Sequence, residues 1–226
     1  MLRRNGIPVF YTYIGNDTKG TSLFSNQQSP LFKQKMKWKI ALILRVLKLG
    51  YNVLYVDSDV ILLRNPFSDL NNRMGYDLLA QKDYNSVCTG FMYILSNNRS
   101  IGLFSLAYEM VFSKELRDQQ SVVEALNQMP IPTLLLPTQY YPSGSDFFRN
   151  YQYYWDMQSG KDIEEPYMLD STYFIFHNNW VRGKFGKELR FKEMKMYHLD
   201  VDGEYSGMRK YITVERINES NLLMYG

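Results

Sequence analysis

The chain has 226 residues, 26 Lys plus Arg against 23 Asp plus Glu, and a formal net charge of +3. With 45% apolar and 22% charged residues it can bury a full core, which excludes a disordered chain, a collagen-like chain and a disulfide scaffold. The positive charge is too small and too scattered for nucleic acid, no apolar run of about 18 residues is present to span a membrane, and the single Cys88 forms no internal disulfide.

In chain order, Pro8 to Ile14 (PVFYTYI) is β-branched and aromatic and predicts a strand rather than the apolar core of a signal peptide. A polar loop over 15–29 follows. Ser29-Pro30 has the form of a helix start, and Met36, Ile40, Ile43, Leu44 and Leu47 then recur at helical spacing up to a stop at Gly50. Asn52 to Val56 predicts a short buried strand, so strand, helix and strand make a parallel βαβ unit. Further strands are predicted at Asp77–Gln81, Gly90–Leu95, Thr133–Leu136 and Thr172–Phe176, the last ending at His177. Helices are predicted over Ile101–Lys114, Asp118–Gln128 and about 184–195. Residues 138–170 read mostly as loop, and the last thirty residues are polar and weakly patterned. No linker divides the chain, so the expectation is one α/β domain over 1–226, with its core at about 7–196 and a tail from 197. The 19 Tyr, 13 Phe and 3 Trp suit either core packing or the lining of a sugar cleft.

The strongest chemical feature is VLYVDSDVILLRNP, residues 53–66. Asp57 and Asp59 stand one residue apart at the carboxyl end of an apolar strand, where ligands of α/β sheets bind. Close carboxylates repel unless a cation or a proton lies between them, and oxygen donors suit Mn²⁺ or Mg²⁺ bridging to phosphates. The plainer alternative is a strand-end turn with both Asp in water. A second cluster is FHNNWVRGKFGK, residues 176–187, in which His177 closes a strand. A neutral imidazole is a good further ligand for Mn²⁺, glycines let backbone N–H groups approach phosphate, and lysines bring point charges. Against this stands a structural His followed by a solvated helix face. Thr89-Gly90 opens a strand where Gly permits a close approach, and Asp118-Gln119 opens a helix where Asp is also an ordinary N-cap. His198 has no such company and reads as structural.

Taken together, Lys39, LGYNVLYVDSDVILLRNP (49–66), CTGFMYI (88–94), DQ (118 and 119), LLLPTQYYPSG (134–144) and HNNWVRGKFGK (177–187) resemble the nucleotide-diphospho-sugar transferase family, which includes plant and protist α-xylosyl-, arabinosyl- and galactosyltransferases. The resemblance implies a GT-A fold, a Rossmann-like α/β domain with a mostly parallel central sheet. The family's nucleotide site includes a strand and helix ahead of the strand at 8–14, so here either that first βα unit is missing or the fold begins late. It also implies that Asp57 and Asp59 match the DxD motif and hold Mn²⁺ (or Mg²⁺) with His177, and that Gly183 and Lys187 meet the donor diphosphate. Lys39 looks like the basic residue on the helix before the DxD strand. Asp118 and Gln119 look like the catalytic pair near the donor sugar, and Thr89 and Gly90 like the segment facing sugar or acceptor. The implied activity is transfer of a sugar, with retention, from a nucleotide-sugar donor (a UDP-sugar) to a glycan or glycoprotein acceptor. The implied location is the Golgi lumen, with any anchor outside this chain; a cytoplasmic or viral enzyme is equally compatible with one Cys and no signal.

Two other readings stand beside it. A haloacid-dehalogenase-like phosphatase also places Asp-x-Asp after an apolar strand, and Asp162, Glu164, Glu165 and Asp170 could supply its later acids, but it leaves the HNN…G…K block without a role. A catalytically inactive GT-A domain that binds sugar or a partner protein would retain metal binding without turnover.

Overall fold

The computed structural model describes residues 30–145, 172–181 and 183–193. The predicted strand at 8–14, most of the 138–170 loop, the acids of 162–170, His198 and the tail lie outside the described residues.

Helix α1 (Pro30–Lys48) starts at the expected proline and buries Ile40, Ile43, Leu44 and Leu47, a stripe at i, i+3, i+4 and i+7. It ends where Gly50 takes φ +88°, the left-handed cap that glycine adopts without a Cβ clash. Strand β1 (Val53–Val56) follows, then β2 (Val60–Leu62) and a short helix α2 (Phe67–Leu70). Strands β3 (Leu78–Asp83) and β4 (Ser86–Ile94) form a hairpin. Helices α3 (Asn98–Ser113) and α4 (Asp118–Gln128), strand β5 (Thr133–Leu136), strand β6 (Ile175–His177) and helix α5 (Gly183–Glu193) complete the described elements.

The main sheet has the order β1-β4-β3-β5. β4 runs antiparallel to both β1 and β3, and β3 is parallel to β5, so β1, β3 and β5 share one direction with β4 reversed among them. Alternation along β3 and β4 decides which core each residue enters. Leu78, Ala80, Met92 and Ile94 face α1, α3 and α4 and join Leu103, Phe104, Ala107 and Val122. Leu79, Phe91 and Tyr93 face the other way and join Leu70, Leu136, Tyr141 and Ile175. Burying one such aliphatic or Phe side chain stabilises by roughly 1.5–3 kcal/mol, and this two-sided covering makes the class α/β.

Some expected boundaries move. β4 begins at Ser86 rather than Gly90, because Tyr84 takes φ +52° and turns the polar 82–86 segment into a hairpin. α3 begins at Asn98, since the Asn97 Oδ1 accepts from Arg99 N (2.9 Å) and Ser100 N (3.0 Å), while Ser100 Oγ accepts from Asn97 N (3.1 Å). β2 and β6 pair antiparallel as a separate ribbon, Val60 opposite His177.

Candidate functional site

Two local devices create the site. The β2–β6 ribbon sets His177 opposite Val60, so the imidazole arrives beside Asp59, and Asn178 N donates to Asp59 O (2.9 Å). In the main sheet, the β3–β4 register jumps from Ala80↔Met92 to Gln81↔Cys88, a bulge that lets Thr89, Gly90 and Phe91 bow out of the ladder. Asp57 N donates to Gly90 O (2.7 Å) and thereby ties the end of β1 to that bulge.

Asp57, Asp59 and His177 each present one ligand atom, all within 4.8 Å of one another. Gly90 makes the gathering possible. A Cβ on it would stand 2.4 Å from His177 Cε1 and 2.9 Å from Asp57 Oδ2. The close approach expected at this glycine is therefore the passage of two site side chains.

Gln81 orients the imidazole. Its Nε2 donates to the carbonyls of Pro142 (2.7 Å) and Tyr141 (3.3 Å), which leaves Oε1 as the acceptor facing His177 Nδ1 at 2.5 Å. Nδ1 therefore carries the proton, and Nε2 turns its lone pair toward Asp59 Oδ1, 3.6 Å away. Two carboxylate oxygens and an imidazole nitrogen are the donor set that Mn²⁺ and Mg²⁺ accept. Cys88 Sγ lies 4.0 Å from His177 Nδ1, but burial pushes its pKa up to about 12, so it stays a thiol and adds no soft ligand.

Lysines surround the acids. Lys39 is buried, with its ammonium 2.9 Å from Asp118 Oδ2 and 3.2 Å from Asp57 Oδ1; it also donates to Thr89 Oγ1 (3.3 Å) and lies over the Tyr55 ring. Lys187, on α5, pairs with Asp59 Oδ2, and α5 is held by Asn178 Nδ2 donating to Lys187 O (2.9 Å). Burial pushes the Asp59 carboxyl upward, and positive charge beside it, on His177 when protonated and on Lys187, outweighs burial and holds the carboxyl below its ordinary range. Tyr55 OH donates to Asp57 Oδ1 (2.9 Å), and burial with the Asp57 charge keeps that phenol protonated.

Asp118 is the first residue of α4 rather than its cap. Its Oδ2 accepts from Thr89 Oγ1 (3.0 Å) beside Lys39, so the side chain turns into the site. Gln119 accepts weakly from Thr89 N (3.5 Å) and donates to Asp83 Oδ2 (2.9 Å). Gly183 begins α5, and Gly186 packs so closely on Val181 that a Cβ would come within 2.7 Å of its Cγ2. Lys39, Asp57, Asp59, Thr89, Gly90, Asp118, Gln119, His177 and Lys187 thus form one connected cluster. Sequence reasoning missed Tyr55, Gln81 and Asp83. Tyr55 and Gln81 look like ordinary strand residues, though the alternation that turns Gln81 to the same face as Leu79 carried a signal.

The model of the nucleotide-diphospho-sugar transferase family matches residues 1–191. A UDP-galactose:fucoside alpha-3-galactosyltransferase of Dictyostelium discoideum is 25% identical over 86% of this chain and 33% of its own length. A UDP-D-xylose:L-fucose alpha-1,3-D-xylosyltransferase of Arabidopsis thaliana is 26% identical over 70% of this chain and 45% of its own. A beta-arabinofuranosyltransferase of the same plant is 26% identical over 74% and 34%. This chain therefore spans less than half the length of these relatives. The solved structure of the glycosyltransferase GlyE from Streptococcus pneumoniae superposes with a TM-score of 0.42 at 16% identity, over 69% of this chain and 42% of that one. With the family model covering most of its length, this chain belongs to the nucleotide-diphospho-sugar transferase family.

Proposed function

We propose that the chain carries the donor site of a metal-dependent glycosyltransferase, moving a sugar from a UDP-sugar to a glycan or glycoprotein acceptor with retention. The observation that carries this reading is the gathering of ligand atoms of Asp57, Asp59 and His177 within 4.8 Å of one another, with Lys39 and Lys187 against the same carboxylates. These three residues would hold Mn²⁺ (or Mg²⁺), and the cation would supply electrostatic stabilisation of the leaving diphosphate.

The chain's own residues do the rest. Lys187 adds a point charge beside Asp59, and Gly183 begins a helix, whose N-terminal end favours phosphate. Tyr55 and Lys39 hold Asp57 in position. Lys39 and Thr89 hold Asp118 aimed into the site, where its carboxylate steadies positive charge on the sugar as the bond to the diphosphate breaks. Gln119 spans from the Thr89 backbone to Asp83 at the edge of the cluster. Two of the relatives named above transfer to fucose or a fucoside, which makes a fucosylated glycan the acceptor to test first. A Golgi location belongs to this reading; no described helix is long and apolar enough to cross a membrane.

The test is calorimetric titration with UDP, with and without Mn²⁺. Binding is expected only with Mn²⁺, and lost in the Asp57→Ala, Asp59→Ala double variant. UDP affinity independent of Mn²⁺, or unchanged in that variant, sinks the metal assignment.

A further inference from the structure

Beyond the carboxylates the cluster continues to a pair of aromatic rings. Tyr84, at the β3–β4 turn, and Trp180, just past β6, meet edge to face with centroids 5.0 Å apart. Both are about half exposed, at 52% and 48%. Both also sit at left-handed φ, +52° and +60°, a conformation that costs a bulky residue free energy which the surrounding structure must offset. The indole is held from below: Trp180 Nε1 donates to Asp83 Oδ1 (3.1 Å), while Gln119 Nε2 donates to Asp83 Oδ2 (2.9 Å). Gln119 leads back to the Thr89 backbone, and Thr89 to Asp118.

We propose that Trp180 and Tyr84, with Asp83, form the platform on which a sugar ring of the acceptor lies, a proposal that rests on the glycosyltransferase reading above. The C–H face of a pyranoside is apolar and weakly positive and packs on the negative face of an aromatic ring. Its rim of hydroxyls needs fixed acceptors and donors nearby, and the Asp83 carboxylate and Gln119 amide supply them. A half-exposed, strained aromatic pair beside a tethered carboxylate, joined to the site by one glutamine, matches that ligand. A peptide or a lipid surface would favour a broader apolar face.

The test uses the full chain with UDP and Mn²⁺ and a panel of methyl glycosides (α-L-fucoside, β-D-galactoside, α-D-xyloside), followed by saturation-transfer NMR and titration. The variants are Trp180→Asn and Tyr84→Asn, since Asn tolerates left-handed φ and keeps the fold. Each is expected to weaken glycoside binding by about tenfold or more, with unchanged Mn²⁺-dependent UDP affinity and a melting temperature equal to or above the parent's. Glycoside binding unchanged in both variants overturns the platform, as does failure of every glycoside to bind the parent chain. Loss of UDP affinity in parallel also overturns it, because the residues would then support the donor site. Trp180-dependent glycoside binding in a parent chain that ignores UDP leaves the platform standing and removes the donor reading.

Discussion

With its amide nitrogen committed to the Tyr141 and Pro142 carbonyls, Gln81 has only its oxygen left for His177, and so it selects the tautomer with Nε2 free. Gln81→Met would keep the volume and remove that acceptor. Its expected effect is a loss of Mn²⁺ affinity of roughly 10–100-fold. Imidazole ¹⁵N shifts, which read the tautomer directly, should show His177 losing its fixed Nδ1–H form. Unchanged shifts would mean that other contacts orient the ring. Gly90 acts by absence: the smallest substitution there collides with both His177 and Asp57. Gly90→Ala should therefore cost at least about tenfold in Mn²⁺ affinity, measured by the same titration. Wild-type affinity would show that the ring and the carboxylate can shift at no cost.

At the scale of elements, the start of α3 is locked to the start of β3. Asp77 accepts from Arg99 Nε (2.5 Å), Arg99 Nη2 (2.9 Å) and Asn97 Nδ2 (2.8 Å). The Arg99 hydrogen bond, partly opposed by burial and helped by Asn97, holds the Asp77 carboxyl below its ordinary range. A carboxyl whose folded pKa lies below its unfolded one binds more protons when unfolded. Stability therefore rises with pH through that window, is complete above the unfolded value near 3.9, and is lost as pH falls through the folded one. Asp77→Asn should lower the melting temperature at neutral pH and flatten its decline on the acid side. A decline as steep as the parent's would assign the acid sensitivity to other carboxylates. The β2–β6 ribbon works in the same positional way, since it carries His177 to Asp59 from a segment more than a hundred residues away.

At the scale of the whole molecule, three carboxylates, those of Asp57, Asp59 and Asp118, are drawn into one site and held by Lys39 and Lys187. A cation that binds only the folded site must stabilise the fold by mass action, about 2.7 kcal/mol at a concentration a hundred times its dissociation constant. For a chain of this size that is a rise of about 5–10 °C in melting temperature. Mn²⁺ is expected to produce it in the parent chain, and the double change Asp57→Asn, Asp59→Asn to abolish it. A rise that survives the double change would place the cation elsewhere.

Much of this was legible in the amino-acid order, because it depends on neighbours. The stripe of α1, the apolar run of β1 into Asp57 and Asp59, the span of α4 and the strand ending at His177 are local patterns of period 3.6 or 2 or of terminal residues, and they appear where expected. The residues that the family resemblance offers as candidates for the site were also visible as short motifs. What those patterns could not carry is relations between distant segments. The reversal of β4 within the sheet, the bulge that projects Thr89, the pairing of β2 with β6 and the grip of Gln81 on His177 all join residues far apart in the chain. No periodicity records such a contact. Local patterns were enough to say which elements form and which chemical groups are present. It took the closed chain to turn the imidazole Nε2 toward Asp59, to share Lys39 between Asp57 and Asp118, and to bring the Trp180 indole to Asp83. Side-chain orientation is set by hydrogen-bond partners and packing across the sheet, which exist only once the chain has closed on itself.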